Sequence, residues 1–243
     1  MIDKNVMPQN SPLYAPTPHV YRNIHWTSII CRIRREALED FVQKPLVLPE
    51  GDQLPFEVFV ANYGESEIGG YNEAGIIVPA NYRNIVASHF ANLYLDSDAG
   101  IAAGREIIGF PKKHAGVYYS ENGNLVTGAV IRKECPIFSI YADFTKQVQV
   151  DRLPVAPRLQ VRYIPKPDGP GSDIHQVLAT RWPPDKGADT VKVHDRKTGV
   201  GKVIFGKNEE EDFSVLNEAE VLGAVRVHLD FSLDYATVID NIK

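Results

Sequence analysis

The sequence predicts a mostly β protein: a single domain on an antiparallel sheet system that closes or nearly closes, with a few short helices. Runs rich in β-branched and aromatic residues recur at intervals of roughly 8–15 residues. Turn-forming clusters such as Glu121-Asn-Gly-Asn124 and Pro167-Asp-Gly-Pro170 separate several of them. With 44% hydrophobic and 23% charged residues, the 243-residue chain can bury an ordinary core, and it shows no internal repeat or low-complexity linker.

Residues 1–20 carry Pro8, Pro12, Pro16 and Pro18 and read as an extended arm preceding a domain over 21–243. A strand is expected over 24–33. Glu36–Val42 reads as a short amphipathic helix with Leu38 and Val42 on one face, limited by Pro45. Strands follow over 54–63 and 74–80, and the first places Glu57 inside a nearly continuous apolar run. Residues 82–95 suit helix or strand, as do 100–110. Asp96–Gly100 is a turn cluster between them, and Pro111 ends the second. The rest reads as strands over 115–120, 124–132, 136–143, 158–164, 174–182, 189–194, 201–205 and 219–233.

Several function classes drop out. A formal charge of −5, from 26 basic and 31 acidic residues, offers no phosphate-neutralising surface for nucleic acid and no polybasic segment for an anionic membrane. No apolar run approaches a membrane span, and Met1–Pro8 has no apolar signal core. Cys31 and Cys135 read as a buried, reduced pair, so a cytoplasmic location is expected. Gly201–Asn208 imitates a phosphate loop, but its interior Lys-Val-Ile-Phe reads as strand, and Asn208 stands where a magnesium-binding hydroxyl is needed. The histidines are scattered without metal-ligand spacing, so no metal is expected. The run Glu209–Asp212 reads as a solvated loop.

The informative stretch is Gly104-Arg-Glu-Ile-Ile-Gly-Phe-Pro-Lys-Lys-His-Ala-Gly116. A lysine amine, with a reference pKa near ~10.4, is protonated and unreactive at neutral pH. Apolar burial penalises the cation and a second cation repels it. Lys112 can receive both, from Ile107, Ile108 and Phe110 upstream and from Lys113 beside it. A Lys-Lys pair after proline also suits a solvated turn, so the dipeptide alone decides nothing.

Over its longer span this segment resembles the acetoacetate decarboxylase family, whose Gly-Arg-Glu…Pro-Lys-Lys motif ends in the Schiff-base lysine. Leu54-Pro-Phe-Glu57 and Gly70-Tyr-Asn-Glu73 are similar to the segments carrying the family's two active-site glutamates. Tyr94-Leu-Asp96, the turn Arg162–Gly169 and the closing stretch 218–243 extend the resemblance over residues 12–243. It implies a barrel-like fold with Lys112 as nucleophile, Lys113 as its electrostatic neighbour, and Glu57 and Glu73 moving protons. Glu57 is the better acid on the ground that an apolar strand raises a carboxyl pKa. Arg105 and Glu106 are expected to hold the loop that presents Lys112. Tyr71 and Phe110 are candidate pocket walls, and His114 a candidate pocket residue. The family's active-site arginine aligns at Ile24, leaving Arg22, two residues earlier, to bind the substrate carboxylate.

The implied reaction is decarboxylation of acetoacetate or a related β-keto acid with no metal or organic cofactor, in a homo-oligomer. A Schiff-base aldolase or dehydratase joining a keto acid such as pyruvate to an aldehyde is the second reading. A non-catalytic small-molecule binding barrel is the third.

Overall fold

A computed structural model describes residues 8–153, 157–181 and 191–242. Thirteen strands form one sheet: β1 (His19–Arg34), β2 (Gln53–Ser66), β3 (Tyr71–Tyr82), β4 (Ile85–Leu95), β5 (Lys112–His114), β6 (Gly116–Asn122), β7 (Leu125–Arg132), β8 (Cys135–Asp143), β9 (Arg158–Pro165), β10 (Ser172–Thr180), β11 (Val191–Phe205), β12 (Glu220–Leu233) and β13 (Thr237–Asn241). Their order is β13-β10-β9-β4-β3-β2-β1-β12-β11-β8-β7-β6. The pairs are antiparallel except that β5 and β9 both run parallel to β4, along the same edge. The sheet curls until β6 packs over β2, β3 and β4, which gives the expected barrel-like form. No helix of the described residues is long and apolar enough to cross a membrane.

The central strands are buried on both faces, which is why 54–63 reads as a continuous apolar run rather than an alternating one. From β2, Phe56, Val58 and Val60 enter one core, together with Ala74, Ile76 and Val78 of β3 and Tyr94 of β4. Strands β6, β7 and β8 and the end of β11 cover that core. The intervening residues Phe59, Ala61 and Tyr63 face a second, aromatic-rich core with Tyr71 of β3 and Phe90 and Leu93 of β4. Glu57 and Glu73 fall on this second face because side chains alternate along a strand.

Residues 82–95 resolve as the end of β3, a two-residue turn and strand β4. Residues 98–110 resolve as a helix, Asp98–Ala103, that widens into a π turn, Gly104–Ile108. Ser97 caps the helix by accepting a hydrogen bond from the Gly100 amide at 3.1 Å. Arg35–Phe41 forms the short amphipathic element expected near 36–42, as a 3-10 helix with Leu38 fully buried. Expected strands 189–194 and 201–205 merge into β11, whose first half pairs with β12 and second half with β8. The exposed polar stretch His194–Lys197 hides the continuity of this strand from sequence. At the crossover a Cβ on Gly199 would lie 2.2 Å from the Asp143 carbonyl oxygen, so only glycine lets the strands approach. Strand β1 starts inside the segment read as an arm, and edge strand β13 escaped notice. Cys31 is buried and Cys135 half-buried, both as free thiols.

Candidate active site

Lys112 enters from β5, held at its backbone by two contacts. Its amide donates to the Phe110 carbonyl at 2.8 Å, and Arg105 Nη1 donates to its carbonyl at 3.0 Å. Arg105 thus plays the structural part expected of it, and Glu106 accepts from the Tyr14 hydroxyl at 2.6 Å. Two glycines make the approach possible. Gly109 ends the π turn at φ 78, where a Cβ would lie 2.7 Å from Arg162 Cα. A Cβ on Gly104 would lie 2.6 Å from Lys112 Cδ, so the lysine stem runs directly over that residue.

The Lys112 amine reaches a cavity of about 90 Å³. The residue is only 6% exposed, and its Nζ lies 2.8 Å from Oε2 of Glu73, itself 3% exposed. The amine stands 5.7 Å from the Phe110 ring centre and 5.8 Å from that of Tyr71, and both rings line the cavity. Tyr63 stacks on Tyr71 at 4.7 Å and donates its hydroxyl to Glu73 Oε1 at 3.2 Å. Burial, with the nearby Glu73 charge adding to it, raises the Tyr63 and Tyr71 phenols well above their ordinary range, so both stay protonated.

Five expectations need correction. Lys113 follows Lys112 in an extended strand and therefore points to the other face. Its amine sits 2.6 Å from Glu211, whose carboxylate also accepts from the Tyr94 hydroxyl at 2.6 Å. The half-exposed second cation is thus neutralised on the opposite face, and Glu211 is a buried partner rather than part of a solvated loop. Glu57, fully buried, is held ionised. Burial works to raise its carboxyl, but Arg152, the Ser28 hydroxyl and Arg158 together hold it below the ordinary value. Arg152 donates to Glu57 Oε1 through Nε at 2.9 Å and Nη2 at 2.6 Å. Glu57 therefore anchors an arginine and is not poised as an acid. Arg22 is exposed, away from the cavity, because Ile24 and Tyr21 take the buried positions of that bulged stretch of β1. His114 is exposed too.

The cavity's cations come from residues that the sequence reading missed: Arg152, Arg158 and Arg181 line its wall, with Trp26. Arg152 lies over the Trp26 ring at 4.9 Å and Arg158 over the Phe90 ring at 4.2 Å. Their one sequence signal is position: Arg158 opens a strand and Arg181 follows one, each beside apolar runs.

On this sheet a lysine amine thus enters an aromatic cavity beside one glutamate, where the motif resemblance expected two glutamates and a second lysine. The family model for acetoacetate decarboxylase matches residues 6–242. This chain belongs to the acetoacetate decarboxylase family. It is 34% identical over 124 residues to acetoacetate decarboxylase 3 of Mesorhizobium japonicum, a match taking in 51% of the chain and 48% of that protein. The aligned stretch thus spans about half of that relative's length. To the acetoacetate decarboxylase of Clostridium botulinum it is 23% identical over 236 residues, 96% of the chain and 93% of the relative. A solved acetoacetate decarboxylase structure superposes with a TM-score of 0.84 at 21% identity, over 99% of this chain and 96% of that one, which shows the shared fold. Among the described residues no three His, Cys, Asp or Glu side chains are grouped to hold a metal ion.

Proposed function

We propose that this chain is a lyase that decarboxylates acetoacetate or a related β-keto acid through a Schiff base on Lys112. The observation that carries the reading is the placement of the Lys112 amine, inside an aromatic cavity and 2.8 Å from the Glu73 carboxylate. The amine attacks the ketone, and loss of water leaves an iminium ion. The carbon–carbon bond to the reacting carboxylate then breaks, its electron pair neutralises the iminium as an enamine, and carbon dioxide departs. Protonation at carbon and hydrolysis return the ketone and the lysine. Glu73 is the carboxylate within reach of the proton transfers that form and break the carbinolamine. Tyr63, donating to its other oxygen, holds it in place. Each electron pair that moves is taken up by the imine, so the reaction calls for neither metal nor organic cofactor.

The reading also carries the family's expectation of a homo-oligomer. A reducing compartment such as the cytoplasm suits the two free thiols. The test is carbon dioxide release from acetoacetate by the wild-type chain and by Lys112→Gln. Release by the first and not the second is expected. Release by both overturns the role of Lys112. If the wild type yields none but consumes pyruvate with an aldehyde, the aldolase reading replaces this one. If it binds keto acids and turns over neither, the binding barrel does.

A further inference from the structure

The cavity holds more positive charge than the reaction requires. Its basic lining groups are Lys112, Arg152, Arg158 and Arg181, against one lining carboxylate, Glu73, with Glu57 buried behind Arg152. Glu73 pairs with Lys112 and Glu57 with Arg152. Arg158 and Arg181 make no ion pair with a carboxylate among the described residues. Arg158 is 6% exposed, and its Nη1 is buried without a hydrogen-bond partner among those residues. A buried guanidinium with an unsatisfied N–H is costly unless an anion completes it. Burial, opposed by Glu57 and reinforced by Arg152 and Arg181, pushes the Arg158 guanidinium down to about 9. The three arginines thus act on one another as a cluster.

The position of this cluster says which anion it suits. Lys112 pairs with Leu93 of β4 and Arg158 with Ser88 on the same edge, five residues or roughly 17 Å of strand away. Lys112 flanks Phe110, Phe110 meets Phe90 edge-on at 5.3 Å, and Arg158 covers Phe90. The two cations therefore stand at opposite ends of an aromatic pair. Holding the reacting carboxylate on arginine would oppose the reaction, because that carboxylate must surrender its electron pair to the iminium. An arginine cluster across the cavity suits a carboxylate that stays.

Resting on the decarboxylase reading, we infer that Arg158 and Arg181 form an anion subsite for a second, retained carboxylate, so that the substrate class is β-keto diacids. The acid's ketone meets Lys112, its near carboxylate leaves as carbon dioxide from apolar surroundings, and its far carboxylate remains on the planar forks of the arginines. The product is a keto monoacid that keeps that group.

The experiment compares 3-oxohexanedioate with 3-oxohexanoate, equal in length and differing in the far carboxylate, by carbon dioxide release and by borohydride trapping on Lys112. The wild type is expected to prefer the diacid in kcat/KM by roughly 10- to 100-fold, the scale of a charged hydrogen bond. Arg158→Met and Arg181→Gln are expected to collapse that ratio, chiefly through KM for the diacid. Equal use of both acids by the wild type overturns the subsite while leaving the lysine chemistry standing. A preference that survives both substitutions overturns the assignment to these arginines. Absence of any Lys112 adduct with either acid overturns this inference together with the decarboxylase reading.

Discussion

Replacing Gly104 with alanine separates the placement of the amine from the stability of the fold. Gly104 has helical backbone angles, φ −65 and ψ −43, so alanine suits the backbone and is favoured there by about 1 kcal/mol. The new Cβ would lie 2.6 Å from Lys112 Cδ, 2.8 Å from Cε and 3.3 Å from Nζ. Ordinary carbon contacts are about 3.5–4.0 Å, so the lysine stem must move by roughly 1 Å. The stem is flexible and the helix is not, so the lysine yields. A displacement of that size at a reacting centre costs on the order of 100-fold in rate. Gly104→Ala is therefore expected to lower the rate of borohydride-trapped imine formation about 100-fold while moving Tm by no more than about 4 °C. Rapid-quench trapping with acetoacetate, alongside a circular dichroism melt, reads both quantities. Trapping at the wild-type rate by a folded Gly104→Ala protein would refute the argument that Lys112 must sit where it does.

Three other expectations follow from the same geometry. Glu73→Gln keeps the shape of the site but removes the carboxylate 2.8 Å from the amine, and kcat should fall by roughly 10²- to 10⁴-fold in a steady-state assay. Lys113→Met should leave the pH optimum of imine formation where it is, because the Lys113 amine pairs with Glu211 on the far face. It should cost about 1 kcal/mol in urea unfolding, a modest figure because the Lys113 side chain is 38% exposed. Burial, opposed by the Leu159 carbonyl hydrogen bond and aided by Arg158, lowers His89 from 6.5 to about 4. Between those values the unfolded chain binds the proton and the folded chain does not. Stability is therefore complete above pH 6.5 and declines as pH falls toward 4, by about 3 kcal/mol in all. Urea titrations across that range should show a shallower acid limb for His89→Gln.

The legible parts of this protein are those fixed by local chemistry. β-branched runs and turn clusters located most strands, and Pro111 marked where the helical segment ends. The lysine motif was readable because three constraints lie in one short stretch: a glycine under the lysine stem, an arginine on the lysine carbonyl and a left-handed glycine before the strand. Glu73 shares its face with Tyr71, and that alternation too is local. What stayed hidden depends on pairing across long sequence separations. Glu57 looks like a proton donor until Arg152, 95 residues away, folds against it. The carboxylate that neutralises Lys113 lies 98 residues later. Arg158 and Arg181 are ordinary strand-end residues in sequence, and only the parallel pairing of β9 with β4 brings the first to the cavity. Only the middle of β11 escaped, because its exposed polar residues carry no apolar alternation.

Everything proposed for this chain depends on the Lys112 amine, which covalent capture can identify. The chain is incubated with acetoacetate, reduced with borohydride, digested and sequenced by mass spectrometry. A single reduced adduct is expected on Lys112, with Lys113 unmodified in the same peptide. Label on Lys113 instead, or a fully active enzyme with Lys112 unlabelled, would contradict it.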